Sequence, residues 1–260
     1  MLKRLSLLFV LVAVILACGT QTVDAPPASP ATNTPVPPPA NTAPPAPTDT
    51  PIPTPDYAAT EAAELAAAAQ QKIAVIDEIL QEYNLSTSQG SLGWVQDQPI
   101  EIRTDSYGEV SYVPVSGEDE YSNFVLSVSI DWDSSSGVAG CGIMFRAENN
   151  VQKGEQYRFL TLRLSGLPAW DVEYYNNGNY QSTVTGQVMK NSAIDNDSGA
   201  TNQYVLVVED KTLVAYANEQ KLSSVNITKL NTGRIAFLTW QESGESSCNF
   251  YDGWIWDLGD

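Results

Sequence analysis

The sequence of 260 residues contains no histidine, only three cysteines and few basic residues. Without histidine, the chain cannot form a Ser–His–Asp triad, a Cys–His pair or a histidine-ligated metal site. Thirteen Lys and Arg residues stand against 31 Asp and Glu residues, which gives a formal charge of −18. Since nucleic-acid binding needs a basic surface that neutralises phosphates, this charge argues against a nucleic-acid partner. Any catalysis must use carboxylates, Tyr, Lys, Arg or thiols.

The N-terminus has the pattern of an export signal. A positively charged start, Lys3 and Arg4, precedes a run from Leu5 to Leu16 that is apolar except for one serine. This run is too short to cross a bilayer as a helix, and it fits the apolar segment of a secretory signal peptide. No later apolar run reaches transmembrane length.

The apolar run ends in Ile-Leu-Ala-Cys-Gly, which resembles the lipobox of bacterial lipoproteins. The resemblance implies that residues 1–17 are a lipoprotein signal peptide and that Cys18 receives the lipid. The alternative is an ordinary signal peptide with an incidental cysteine. We therefore expect an extracytoplasmic protein, anchored to the outer face of the cell membrane, or to an outer membrane if the cell has one.

Residues 18–56 are rich in Pro, Thr and Ala and contain no aromatic residue. Such a composition cannot form a sheet or a core, and it predicts a disordered, extended tether. Residues 57–85 contain strong helix formers and no Gly or Pro, which predicts a helix.

One apolar stripe runs along the predicted helix, formed by Ile73, Ile76, Leu80 and Tyr83 at spacings of three and four. The stripe can dock on the following domain, or it can mediate self-association as a short stalk. We favour docking because the apolar residues lie at the end nearest the domain.

Residues 86–260 predict an all-β domain. Alternating apolar and polar segments are separated by Gly, Asn, Asp and Ser, which is typical of a sandwich or barrel. Asp210-Lys211 and Asn218-Glu219 stand where tight hairpins are expected. About ten strands are predicted: 99–103, 108–115, 123–132, 141–147, 156–164, 170–175, 201–210, 211–217, 233–240 and 247–258.

The segments GCGIMFR, EQYRFLTLRL, TNQYVLVVEDKTLVAYANEQKLSSV, GRIAFLTW and CNFYDGWIWDL resemble a concanavalin A-like jelly roll of the laminin-G and glucanase type. The resemblance covers about residues 120–258 and is nearest to domains of extracytoplasmic bacterial lipoproteins, related at fold level to keto-disaccharide-hydrolase-like domains. It implies a two-sheet antiparallel sandwich. Glu219 departs from the pattern, which has glycine in this hairpin. The matching positions are Gly142, Phe145, Arg146, Tyr157, Asn202, Asn218, Gly233, Cys248, Phe250 and Trp256.

Two cysteines, Cys141 and Cys248, remain once Cys18 is assigned to the lipid. Both lie near the starts of predicted strands in an exported protein, where oxidation is favoured. We predict a disulfide between them. The alternative is a pair of buried thiols.

The glucanases on this fold carry carboxylates at alternate positions of one strand, E-x-D-x-E, because only alternate residues share a face. The nearest counterpart here is Asp171-Val172-Glu173, which has two carboxylates and lacks the third. Asp171 and Glu173 are therefore the candidate catalytic residues. Glu118-Asp119-Glu120 is consecutive, so its neighbours point to opposite faces.

Two acidic segments, 131–134 and 195–199, offer clustered oxygen ligands of the kind that bind calcium. Neither matches the D-x-D-x-D-G loop with a distant Glu, so polar turns are the preferred interpretation. We predict no cofactor and no metal site, with calcium as the alternative.

Aromatic residues cluster with asparagines between positions 170 and 180. Rings that stack on sugar CH groups and amides that bind hydroxyls are what a glycan surface needs, although Trp and Tyr also fill sandwich cores. Arg146 could bind a ligand carboxylate or pair with a surface acid. The candidate ligand-binding residues are Arg146, Trp170, Tyr174, Tyr175 and Tyr180.

The leading hypothesis is a lipid-anchored cell-surface protein whose β-sandwich is a non-catalytic binding module for a glycan or another extracellular ligand. One alternative is a carbohydrate-active hydrolase that uses carboxylates on the sheet. The other is a structural surface protein that self-associates through the helix. The sequence does not fix the oligomeric state.

Overall fold

The computed structural model describes residues 57–135 and 137–259. The predicted signal peptide, Cys18 and the tether lie outside these residues. One helix, α1 (Tyr57–Glu82), comes first. Fourteen strands follow it in the described residues: β1 Ser91–Val95, β2 Ile100–Thr104, β3 Val110–Pro114, β4 Asn123–Ser134, β5 Val138–Ala147, β6 Gln156–Leu164, β7 Leu167–Asn176, β8 Asn179–Thr183, β9 Met189–Lys190, β10 Thr201–Glu209, β11 Thr212–Ala217, β12 Gln220–Asn226, β13 Arg234–Gln241 and β14 Ser246–Gly259.

The strands form two antiparallel sheets. The first sheet has the order β1-β14-β4-β10-β11-β12, with β2 also paired to β14. The second has the order β3-β13-β5-β6-β7-β8, with β9 also paired to β7. The two sheets stack as a jelly-roll sandwich, so the predicted fold class is confirmed.

Alternation along the strands builds the core between the sheets. On β4, Phe124, Leu126 and Val128 enter the central core, whereas Val125 between them belongs to a separate apolar cluster on the other face. The rings of Phe237 and Phe250, one from each sheet, stack with centroids 4.5 Å apart. The inner faces of both sheets are therefore filled by apolar and aromatic side chains.

Two predicted hairpins are present. Glu209 pairs with Thr212 around Asp210, and Ala217 pairs with Gln220 across a two-residue turn. Asn218 and Glu219 in that turn both have positive φ, 49° and 65°. The departure from glycine at position 219 therefore leaves a glutamate in the left-handed region, which the turn geometry demands.

A disulfide joins the two sheets. Cys141 on β5 of the second sheet is bonded to Cys248 on β14 of the first, and both residues are fully buried. The predicted pairing is confirmed. The bridge fixes the inner faces against each other at the level of the central strands.

We expect reduction of this disulfide to lower the free energy of unfolding by about 4–5 kcal/mol, because a bridge closing a loop of 107 residues restricts the unfolded chain. Urea unfolding with and without reductant, with thiol counting to confirm reduction, measures the difference. An unchanged midpoint in fully reduced protein would contradict this role.

The helix covers the outer face of the first sheet. Ile76 and Leu80 are 1% and 0% exposed, and they pack with Val205, Trp254 and Trp256. These contacts confirm the docking interpretation of the apolar stripe. Self-association through the same residues would require the helix to leave the sheet, so this surface does not favour the structural alternative.

Two further members of the stripe lie at its margins. The ring of Tyr83 meets that of Tyr216 on β11 at 4.4 Å, and Ile73 is 38% exposed. No helix in the described part of the chain is long and apolar enough to cross a bilayer.

Leu80→Ala should destabilise the folded domain by about 2–5 kcal/mol, because it leaves a cavity between helix and sheet. The matched control is Val75→Ala on the same helix, where the side chain is 51% exposed. We expect the control to change stability by less than about 0.5 kcal/mol. Equal effects of the two substitutions would show that the helix does not dock.

Candidate functional site

Strand β7 divides the predicted site residues between its two faces. Trp170 and Tyr174 point into the central core and are 1% and 9% exposed. Their predicted role on a ligand surface is therefore wrong, because alternation directs them between the sheets. Glu173 and Tyr175, on the opposite face, line a groove on the outer side of the second sheet.

Arg146 is also buried rather than displayed. Its φ of 46° interrupts the alternation of β5, and the register with β13 shifts at this point. The guanidinium donates to the carbonyls of Ser122 and Leu230, and its exposure is 1%. The expected surface position is wrong, because this bulge places the arginine inside, where it satisfies backbone acceptors and ties together three segments.

Asp171 is on the outer face of β7 but is closed off. Its exposure is 0%, and it accepts hydrogen bonds from Thr183, Thr185 and the backbone N–H of Val172. Burial raises the pKa of this carboxyl, although these hydrogen bonds oppose the rise. A carboxylate that is buried and fully hydrogen-bonded cannot reach a glycosidic bond, so Asp171 is not placed for catalysis.

The groove has a volume of about 520 Å³ and an apolar floor. Met144, Leu160, Leu162 and Leu238 form this floor, and none is more than 5% exposed. They belong to an apolar cluster on the outer face of the second sheet, distinct from the central core. This sheet therefore buries apolar residues on both faces, and the groove lies over the outer set.

Two glycines of β5 shape the floor. A Cβ at Gly142 would lie 2.5 Å from the carbonyl oxygen of Phe159 and 2.6 Å from Cδ2 of Leu160. A Cβ at Gly140 would lie 2.7 Å from the carbonyl oxygen of Thr161. Leucines from β6 thus lean over the central strand, and any side chain there would push them into the groove.

One end of the groove is polar. The guanidinium carbon of Arg158 lies 3.6 Å from the ring centre of Tyr175, and the Tyr175 hydroxyl donates to Glu173 at 2.9 Å. Tyr180, 52% exposed, meets Tyr175 edge-on at 5.9 Å. Tyr175 and Tyr180, two of the predicted residues, are thus brought together beside Glu173.

Burial dominates the electrostatics of this end. It raises the pKa of Glu173, and the hydrogen bond from Tyr175 and the charge of Arg158 only partly offset the rise. It lowers the pKa of Arg158 and raises that of Tyr175. The two charged side chains therefore lie in an environment less polar than water, where a ligand charge is felt strongly.

The opposite wall carries two rings that sequence reasoning missed, Tyr112 on β3 and Trp240 on β13. Both are half-buried, and both line the groove beside its floor. The alternation of the segment 233–240 shows that Trp240 faces away from the core side of Phe237. Only the pairing of β3 with β13 brings Tyr112 next to it.

The two acidic segments considered for calcium lie side by side. Thr201 donates to Asp131 at 2.5 Å, and Ser198 donates to Asp133. Among the described residues, no group of three or more His, Cys, Asp or Glu side chains could hold a metal ion. These carboxylates accept hydrogen bonds that join β4 to the start of β10.

No protein-family model and no curated protein matches the sequence. Among solved structures, similarity is found to a carbohydrate-binding module from Bacillus subtilis, at 15% identity and a TM-score of 0.49, over 65% of this chain and 97% of that chain.

Two further similar structures are β-glucanases. The enzyme from Bacillus licheniformis has 10% identity and a TM-score of 0.43, over 65% of this chain and 98% of its own. A prokaryotic β-1,3-1,4-glucanase from a mouse hindgut metagenome has 10% identity and a TM-score of 0.46, over 65% of this chain and 88% of its own. At these identities and scores, the likenesses carry no information about what this chain binds.

We expect Glu173→Gln to stabilise the folded protein near neutral pH. Because burial raises the pKa of Glu173, ionisation costs stability above that raised pKa, and the cost vanishes below the ordinary value of 4.5. The stability difference between variant and wild type should therefore shrink as the pH falls.

Urea unfolding across this pH range tests the expectation. Glu118→Gln, at an exposed carboxylate, is the matched control. A Glu173→Gln variant that is less stable than wild type at neutral pH, or whose difference does not change with pH, would contradict it.

Proposed function

We propose that the sandwich binds a glycan in the groove on the outer face of the second sheet. The observation that carries the proposal is the pair of rings, Tyr112 and Trp240, that line one side of the groove opposite the polar end. Rings of this kind stack on the CH faces of sugars, and the polar groups of Arg158 and Glu173 offer hydrogen bonds to substituents. The volume suits a few sugar rings.

Binding without bond cleavage is the preferred form of this function. Glycoside hydrolysis needs two carboxyl groups on opposite sides of the scissile bond. Among the described residues that line the groove, Glu173 is the only carboxylate. Since Asp171 is closed off by Thr183 and Thr185, a second catalytic group is lacking there.

We further propose that lipidated Cys18 anchors the protein outside the cytoplasm and that residues 18–56 act as its tether. The export pattern of the sequence supports the anchor. The disulfide between Cys141 and Cys248 supports the compartment, because such bonds persist in oxidising environments. Since α1 completes the outer face of the first sheet, a soluble form must retain the helix.

A glycan array probed with the chain from residue 19 onwards tests the binding function. Trp240→Ala should weaken binding to the selected glycan by about two- to tenfold, because one stacked ring is worth about 0.5–1.5 kcal/mol. Tyr251→Ala is the matched control, since Tyr251 lies on β14 of the first sheet and does not line the groove.

Equal loss in the two variants, at unchanged melting temperature, would place binding elsewhere on the molecule. The hydrolase alternative is tested in the same samples. Release of new reducing ends by wild type, abolished in Glu173→Gln, would establish catalysis and overturn the non-catalytic form of the proposal.

A further inference from the structure

We infer that the glycan bound in the groove is acidic, and that Arg158 binds its carboxylate. This inference rests on the proposed function, which it makes more specific. Its basis is a buried arginine in the groove that has no carboxylate of the described residues within ion-pair distance.

Arg158 is only 7% exposed and lines the groove. Its Nε donates to Oε1 of Gln156 at 3.2 Å, which is a neutral acceptor. In the part of the chain that the structure describes, the only pair of oppositely charged groups within 4.0 Å is Arg103 with Glu101, at the surface. Arg158 therefore has no carboxylate at contact distance, and a buried charge without such a partner is costly.

The carboxylate opposite Arg158 on the neighbouring strand is engaged by a tyrosine. Glu173 lies directly opposite Arg158 in the register of β6 and β7, where a cross-strand ion pair could form. Instead, Oε2 of Glu173 accepts the hydroxyl of Tyr175 at 2.9 Å. The charge of Glu173 still favours the ionised form of Arg158, but the two side chains form no ion pair at contact distance.

Arg146 shows what a purely structural buried arginine looks like in this protein. Its Nε and both terminal nitrogens donate to the backbone carbonyls of Ser122 and Leu230. It lies away from the groove and needs no ligand. Arg158 differs, because its guanidinium lies over the Tyr175 ring and its side chain lines the groove.

A carboxylate on a sugar ring fits this arrangement. Arginine binds a carboxylate through two parallel N–H donors, and stacking on Tyr175 holds the guanidinium in place for such a contact. The rest of the sugar would then lie along the rings of Tyr112 and Trp240. Because the whole chain is strongly acidic, selection for the anion must come from this local contact rather than from the net charge.

The test is the affinity of the wild-type chain from residue 19 for matched acidic and neutral oligosaccharides. One pair is hexagalacturonate and its full methyl ester, and the other is C6-oxidised cellohexaose and cellohexaose. Sulfated galactan, compared with unmodified galactan, shows whether a sulfate replaces the carboxylate. We expect at least one carboxylated member to bind tenfold or more tightly than its neutral partner.

Two variants assign the effect to Arg158. Arg158→Gln should remove the preference for the acid, and Arg158→Lys should retain only part of it, because a single ammonium cannot form the two parallel hydrogen bonds. Glu173→Gln keeps the shape of the side chain and removes a neighbouring negative charge. It should therefore raise the ratio of acid to neutral affinity above that of wild type.

The outcomes separate this inference from the proposed function. Equal or tighter binding of the neutral members would show that the ligand is not acidic and would leave the proposed glycan binding intact. A preference for sulfate alone would show that the bound group is not a carboxylate. Failure of folded wild type to bind any member overturns the inference, whereas failure on a general glycan array overturns the proposed function. The acid-to-neutral comparison uses wild type only, so it stands even if Arg158 variants fold poorly.

Discussion

The apolar contact between the inner faces of the two sheets holds every other feature of the protein in position. Along each strand, alternate side chains point into this contact, and the others point outwards. Each sheet therefore has an outer face whose apolar side chains must also be covered. The outer face of the first sheet is covered by α1, whose Leu80 is fully buried. The outer face of the second sheet is covered by leucines of the sheet itself, which pack over the glycines of β5.

This difference between the outer faces explains where a ligand can bind. A helix covers the first sheet, whereas the second keeps a channel with an apolar floor, aromatic walls and one charged end. At the charged end, Tyr175 lies between the two charged side chains: its ring contacts Arg158, and its hydroxyl donates to Glu173. The proposed ligand, an acidic sugar, would supply both CH surface and negative charge.

The sequence predicts the alternation within one strand, the cysteine pair and the apolar stripe of the helix, but it does not predict which strands lie side by side at the groove. The alternation of β4, the pairing of Cys141 with Cys248 and the docking stripe of the helix all follow from the sequence. The site was only half found, because Trp170 and Tyr175 lie close in the sequence but on opposite faces of β7. The predicted surface position of Arg146 is wrong because a bulge in β5 interrupts the alternation of inward and outward side chains.

The most direct measurement is an NMR titration of the labelled chain with the tightest-binding glycan from the array. The account predicts that the indole N–H signal of Trp240 and the amide signals of β6 and β7 around Arg158 and Tyr175 shift together with increasing ligand. Signals from α1 and from the strands beneath it should stay in place. Shifts confined to the helix-covered sheet or to loops away from the groove would contradict the central claim.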